Sequence, residues 1–241
     1  MTSQALDQLP GFRRRFRVTP GAGSISAEVE DDYHCMGVVL HVVDGVALRV
    51  EPVMRRAPWN TCPGAVAQLE ATFTGTALED FPAAVAEKSA NCTHLFDLAQ
   101  MAARYAAVVE PVIFDVLVSD PVDGVRHAEL RRNGSRVTGW SERDMCIVAP
   151  DEMAGIALFA MKPWLQTLAG EALEAAKILR WANMMANGRS IPLEDQSDAT
   201  RMPPNCYTFQ PDRAATAHRV GEVKDFSNGT EVPLMEHVTN L

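Results

Sequence analysis

The sequence predicts an α+β fold: an antiparallel sheet with helices packed on it, followed by further strands and a buried C-terminal helix. Three observations predict it. Apolar residues recur with period two from Phe12 to Val53, with a helical period between residues 62 and 109, and with period two again from Val112 to Val148. Strands and helices come in blocks and not in strict alternation, which points away from a parallel βαβ arrangement. The chain has 241 residues, 47% hydrophobic and 22% charged, enough to bury a sizeable core without disulfides.

The first nine residues read as a loose leader. From Phe12 to Val53, turn signals at "TPGAG" and "VDG" divide the period-two segment into a small antiparallel meander. Its arginine cluster, Arg13, Arg14, Arg15 and Arg17, alternates with Phe12, Phe16 and Val18 and reads as a solvated strand face. In "YHCMGVVLHVVDGVALRV" both faces of the strand are largely apolar, so that strand is expected at the centre of the sheet, covered on both sides. Cys62, Val66, Leu69 and Phe73 then share one helix face, closed by Gly75. A short helix near Phe81 to Lys88 follows, and after it a longer one with the stripe Leu95, Leu98, Ala102 and Tyr105.

Three strands are expected between Val112 and Val148, joined at "PVDG" and "RNGS". Residues 153–187 are helical, broken near Pro163 and Gly170. The second part, "EALEAAKILRWANMMANG", is apolar almost all round and calls for burial, either in the chain's own core or in a homodimer through residues 171–187. Beyond Arg189 the chain is rich in Pro, Asp and Asn, with "NCYTFQPDR" as its strongly apolar patch. We divide the chain into residues 10–109, strands followed by Cys-capped helices, and residues 110–241, a second strand set, a helical segment and an extended tail. The two are expected to pack as one globular unit.

A formal net charge of -9 repels phosphate backbones, so nucleic acid is not an expected partner. No apolar run reaches the length of a membrane span, and the N-terminus lacks an apolar signal core, so a cytoplasmic location away from membranes is expected. On that expectation, the acceptor patterns at Asn91, Asn133 and Asn228 are chance matches, and the five cysteines remain thiols.

Chemistry is suggested by two cysteines at two helix starts. Pro63 suits a first helical position, which makes Cys62 the capping residue, where the helix dipole and unpaired amides favour a thiolate. Cys92 stands in a similar place, with His94 close by and Asp97 one turn further on, where it could orient the His94 imidazole. His34 follows "EVEDDY", in which Glu30, Asp31 and Asp32 could hold it. Cys206 and Tyr207 could reach back over a pocket from the tail. Each of these residues also has a packing role open to it. Together they offer a nucleophile, a base and an orienting acid, or metal ligands. Phosphate-binding glycine loops, G-x-S-x-G and H-E-x-x-H are absent from the sequence, and Cys92-x-His94 is its one close ligand pair.

The strand "YHCMGVVLHVVDGVALRVE", "TCPGA", "NCTHLFDL" and "CYTFQP" in the tail resemble a bacterial family known as a domain of unknown function, number 2889 in that series. That family carries no settled activity, so the resemblance implies a grouping without a mechanism. In order along residues 28–105, His34, Cys62 and the Cys92/His94 pair also resemble the ligand positions of iron-sulfur cluster assembly scaffold proteins, although the scaffold's Cys-Gly-Asp pattern is absent and histidine takes the place of the first cysteine.

The expected function is a small-molecule enzyme of the lyase, isomerase or hydrolase kind. Cys62 and Cys92 would be nucleophile or ligands, His94 acid/base, Asp97 its orienter and His34 a further site residue. Trp164, Trp181, Met184 and Met185 could supply an apolar wall suited to an aromatic or apolar substrate. The alternative is a metal or sulfur carrier that binds one zinc or iron ion through Cys62, Cys92, His94 and His34. The cofactor is otherwise unknown, between none and that one ion.

Overall fold

Strand β1 (Gly11–Gly21) carries the arginine cluster, and its burial alternates with period two, as a strand with one covered face must. Phe12, Phe16 and Val18 lie on the covered face, and so does Arg14, which is 1% exposed. This corrects the reading of the cluster as a solvated face. Arg14 lies 5.3 Å from the Phe12 ring centroid, Arg15 pairs with Asp115 at 2.6 Å, and Arg17 pairs with Glu28 at 2.7 Å. The period identifies the strand, but acids elsewhere in the chain decide that Arg15 and Arg17 are held in pairs. The expected loose leader is also corrected where it is described: Leu6 is buried, and Arg13 donates to the carbonyls of Leu6 (3.3 Å) and Leu9 (2.6 Å).

This computed structural model describes residues 6–228 and 230–235, so the first five residues of the expected leader and Gly229 of the Asn228 acceptor pattern lie outside the described residues. The chain forms two compact units. One contains residues 16–112, 193–224 and 233–235, the other residues 6–15, 113–192 and 225–232, and β1 contributes residues to both.

In the first unit the strand order is β5-β4-β3-β2-β1, with β2 (Ser24–Asp31), β3 (Cys35–Val43), β4 (Val46–Arg56) and β5 (Thr76–Ala77). The β2, β3, β4 and β5 neighbours pair antiparallel. Asp44 and Gly45 both have positive φ, 49° and 77°, the backbone a tight primed hairpin turn demands. Residues 35–40 of β3 are all buried, because β3 lies between β2 and β4 and both its faces are covered.

A three-ten turn (Cys62–Gly64) leads into helix α1 (Ala65–Phe73), which packs on β4, and helix α2 (Thr93–Arg104) packs on β2 and β3. The expected short helix near Phe81 is instead a run of three-ten turns, Leu78–Ala90, through Pro82, which has no amide to give to a regular helix. Phe73, Phe81 and Phe96 join the three segments, with the Phe73 and Phe81 rings stacked at 4.3 Å. The tail returns to the same unit: Tyr207 N donates to Asn91 O at 2.9 Å, and its ring lies so close to Gly64 that a Cβ there would stand 2.6 Å from the phenol oxygen.

The second unit has the strand order β1-β6-β7-β8-β9, with β6 (Val112–Ser119), β7 (Arg126–Arg132), β8 (Ser135–Arg143) and β9 (Cys146–Ala149). Four strands replace the expected three, since "RVTGWSERDMCIV" turns at Asp144 and Met145, whose φ values are 52° and 64°. No Gly or Asn marks that turn. After the short helix α3 (Lys162–Leu165), helix α4 (Gly170–Ala186) lies on β7 and β8. Its buried face carries Asn183, which accepts from Trp140 Nε1 at 2.7 Å. The all-round apolar appearance of α4 thus includes a face committed to its own unit.

Candidate functional site

Asp31 closes strand β2 and organises the loop that follows. Its amide donates to His34 O at 2.9 Å, and its Oδ1 accepts from the amides of Tyr33 (2.7 Å) and His34 (2.8 Å). The same oxygen stands 3.0 Å from His34 Nδ1. A single carboxylate therefore fixes both the backbone and the imbedded imidazole, which fits Nδ1–H pointing at Asp31 and Nε2 pointing away. Asp31 is 0% and His34 5% exposed, a burial that makes such a contact stronger than it would be in water. Arg56 of β4 holds the loop from behind, donating to the carbonyls of Asp31 and Asp32 at 2.7 Å each and pairing with Glu30 at 3.1 Å.

His94 enters from the first turn of α2. Its ring stacks on that of His34 with centroids 4.0 Å apart and planes 30° from parallel. Among the described residues, Asp31, His34 and His94 form a cluster of metal-ligand type, their donor atoms all within 4.8 Å of one another. Two of the four residues expected as ligands meet there, joined by an acid and not by the thiols.

Cys92 occupies the cap position before α2, as its place in the sequence implied, with Sγ 4.0 Å from Met36 Sδ. Burial pushes its thiol up to about 12, and the amides of Leu95 and His94 pull it down only in part. Cys62 is not the capping residue expected: it begins a three-ten turn, with Thr61 before it in the cap position and Pro63 after it, and the α-helix proper starts at Ala65. Its Sγ lies 3.3 Å from Thr208 Oγ1, and burial raises its thiol too, against a smaller lowering by that hydroxyl. Cys206, on the returning tail, is raised by burial to about 11, and all three thiols are within electrostatic reach of one another. The helix starts are real, but desolvation outweighs their pull, so the expected preference for thiolate is reversed. Asp97 pairs with Lys88 at 2.5 Å.

His34, Cys62, Cys92, His94 and Asp97 all belong to the unit containing residues 16–112, whereas Trp164, Trp181, Met184 and Met185 belong to the other. The sequence reading missed Thr208 and the tail residue Arg219, whose guanidinium lies 4.5 Å from the Trp59 ring centroid. It placed Asp31 only among three acids near His34. The Asp31-to-His34 spacing, tight enough for a side chain to bond its own loop, was the available signal.

An α+β unit with a buried acid–imidazole pair between a β-hairpin and a helix start is the class of site defined here. Residues 16–108 match the family described as "Protein of unknown function (DUF2889)", so the family resemblance is shown over that segment, which contains the hairpin, both cysteines that precede helices, and the His34 and His94 pair. No curated protein matches the chain. Among the described residues, no helix is long and apolar enough to cross a membrane.

Proposed function

We propose that this protein is a small-molecule enzyme of lyase, isomerase or hydrolase type, in which His34 moves a proton and Asp31 holds it. The buried contact between Asp31 Oδ1 and His34 Nδ1, at 3.0 Å beneath the His94 ring, carries this reading. With Nδ1 turned to the carboxylate, Nε2 is the ring atom that takes a proton from a substrate, and Asp31 offsets the charge that then forms on the ring. His94, stacked alongside, orients His34 and serves as a second proton carrier. Cys62 and Cys92, kept as thiols by burial, act as a neutral wall in place of nucleophiles. An aromatic or otherwise apolar substrate suits such a wall.

The test is turnover of a panel of aromatic acids, phenols and esters, read by mass spectrometry, for the wild type, His34→Ala and Asp31→Asn, with folding checked by circular dichroism. Loss of about 10²-fold or more in both folded variants is expected, the usual weight of a positioned acid/base group. Full turnover by His34→Ala would overturn the assignment.

A second reading is a metal carrier, favoured by the mutual spacing of the Asp31, His34 and His94 donors. Elemental analysis of anaerobically purified protein tests it. About one zinc or iron per chain, lost in both His34→Ala and His94→Ala, is its expected signature, and metal-free folded protein excludes this form of it.

A further inference from the structure

Arg219 is held in place with unusual firmness for a tail residue. It forms a short antiparallel bridge opposite Trp59, flanked by Asn60 N to His218 O and Val220 N to Pro58 O, each 3.1 Å. Gly221 lets this segment press against the preceding loop, since a Cβ there would stand 2.4 Å from the Ala57 carbonyl oxygen. Lys224 N then donates to Asp32 O at 2.9 Å, which ties the segment to the loop carrying Asp31 and His34.

The guanidinium itself is only partly satisfied. It lies 4.5 Å over the Trp59 ring and gives Nη2 to Gln196 O at 3.0 Å and to Gln196 Oε1 at 3.5 Å, while its buried Nε finds no acceptor. Among the described residues, no carboxylate lies within ion-pair distance of it, unlike Arg17, Arg56 and Arg126, each of which has one. Its electrostatic neighbours are the Tyr33 phenol and the Cys62 thiol, the latter raised by burial, and neither is a carboxylate. A half-buried cation with a buried, unbonded Nε and no counter-ion among the described residues is costly unless something else supplies the anion. Its surroundings are apolar: Trp59, Cys62, Ala199 and Ala214 form a core cluster, and Phe209 meets the Trp59 ring edge-on at 5.8 Å.

We infer that Arg219 is the anion-binding group of this site, and that it takes the carboxylate of a small organic acid whose apolar body rests against Trp59 and its neighbours. One guanidinium matches one negative charge, and its planar fork suits a carboxylate. A phosphate dianion would call for a second cation. Tyr33 links the two halves of the site: it lies within electrostatic reach of Arg219, and its ring meets His34 edge-on at 6.3 Å. This deepens the acid–base reading by naming its substrate class. Binding at Arg219 stands apart from whether His34 transfers the proton.

Isothermal titration of the full chain with benzoate, benzamide and inorganic phosphate tests the inference. Benzoate should bind at least about tenfold more tightly than benzamide or phosphate. Arg219→Met should lose that preference, and Arg219→Lys should retain part of it. Equal affinity for benzoate and benzamide, a preference for phosphate, an absence of benzoate binding, or a folded Arg219→Met variant that binds unchanged would each overturn it. The benzoate–benzamide comparison needs no variant, so a substitution that fails to fold does not spoil the test. Loss of benzoate binding in Arg219→Met beside full turnover in His34→Ala would sink the acid–base reading alone.

Discussion

Cys92 shows two opposing effects on one side chain. Amides at a helix start favour its thiolate, while burial pushes the thiol up to about 12. Burial wins because a charge removed from water loses more than two hydrogen bonds return. A thiol raised that far stays protonated near neutral pH, so its reaction with a disulfide reagent should be slow in the folded protein and fast after unfolding. Rapid labelling of Cys92 in the native state, mapped by mass spectrometry, would contradict this. The same shift is a statement about stability. A folded-state value raised above 9.0 means that the folded protein keeps a proton that the unfolded chain gives up. This contribution is intact below pH 9 and is lost as pH rises from about 9 toward 12, at up to about 1.4 kcal/mol per pH unit for Cys92. Denaturant titrations between pH 8 and 11 should show the decline, with Cys92→Ala less steep.

At the scale of elements, the helix pair and the three-ten run are joined by aromatic rings. Phe73 of α1 is fully buried between Phe81 and Phe96, with centroids at 4.3 and 5.1 Å. Phe73→Ala should therefore cost about 3–5 kcal/mol in a denaturant melt, the usual range for emptying an aromatic core position. A cost below 1 kcal/mol would mean that the three segments are not coupled through these rings. That α1 and α2 would be helices was legible from their apolar stripes, because a covered helix face repeats every third or fourth residue. The three-ten run was not, since its apolar residues carry no period of their own. The turn at Asp144 and Met145 was hidden for a different reason: Asp144 suits a turn, but Met145 stands where a glycine would mark the hairpin, and pairing of β8 with β9 imposes its conformation.

At the scale of the molecule, the unit holding the candidate site is assembled from residues 16–112 and from returning segments, chiefly 193–224 with 233–235. The family match covers residues 16–108 and so omits Thr208 and Arg219. Thr208 is 2% exposed against Cys62, and Tyr207 fills the space over Gly64, so removing the tail uncovers apolar surface around both. Residues 16–112 expressed by themselves should lack a cooperative unfolding transition that the full chain displays. A sharp transition in the fragment, followed by circular dichroism, would show that the tail is dispensable to the fold.

The sequence by itself determined the α+β class, the antiparallel meander within residues 12–53, the helix start at Cys92, and the presence of His34 and His94 among the site candidates. These are local properties: period, capping and turn chemistry are written over spans of a few residues. Tertiary structure alone decided that the two histidine rings stack, that Asp31 is the acid holding His34, that Arg14 is buried, and that Arg219 lies over Trp59 from far along the chain. Each of those outcomes depends on which segments become neighbours and on how much water their contact excludes. Neither is encoded in the spacing of residues along one element.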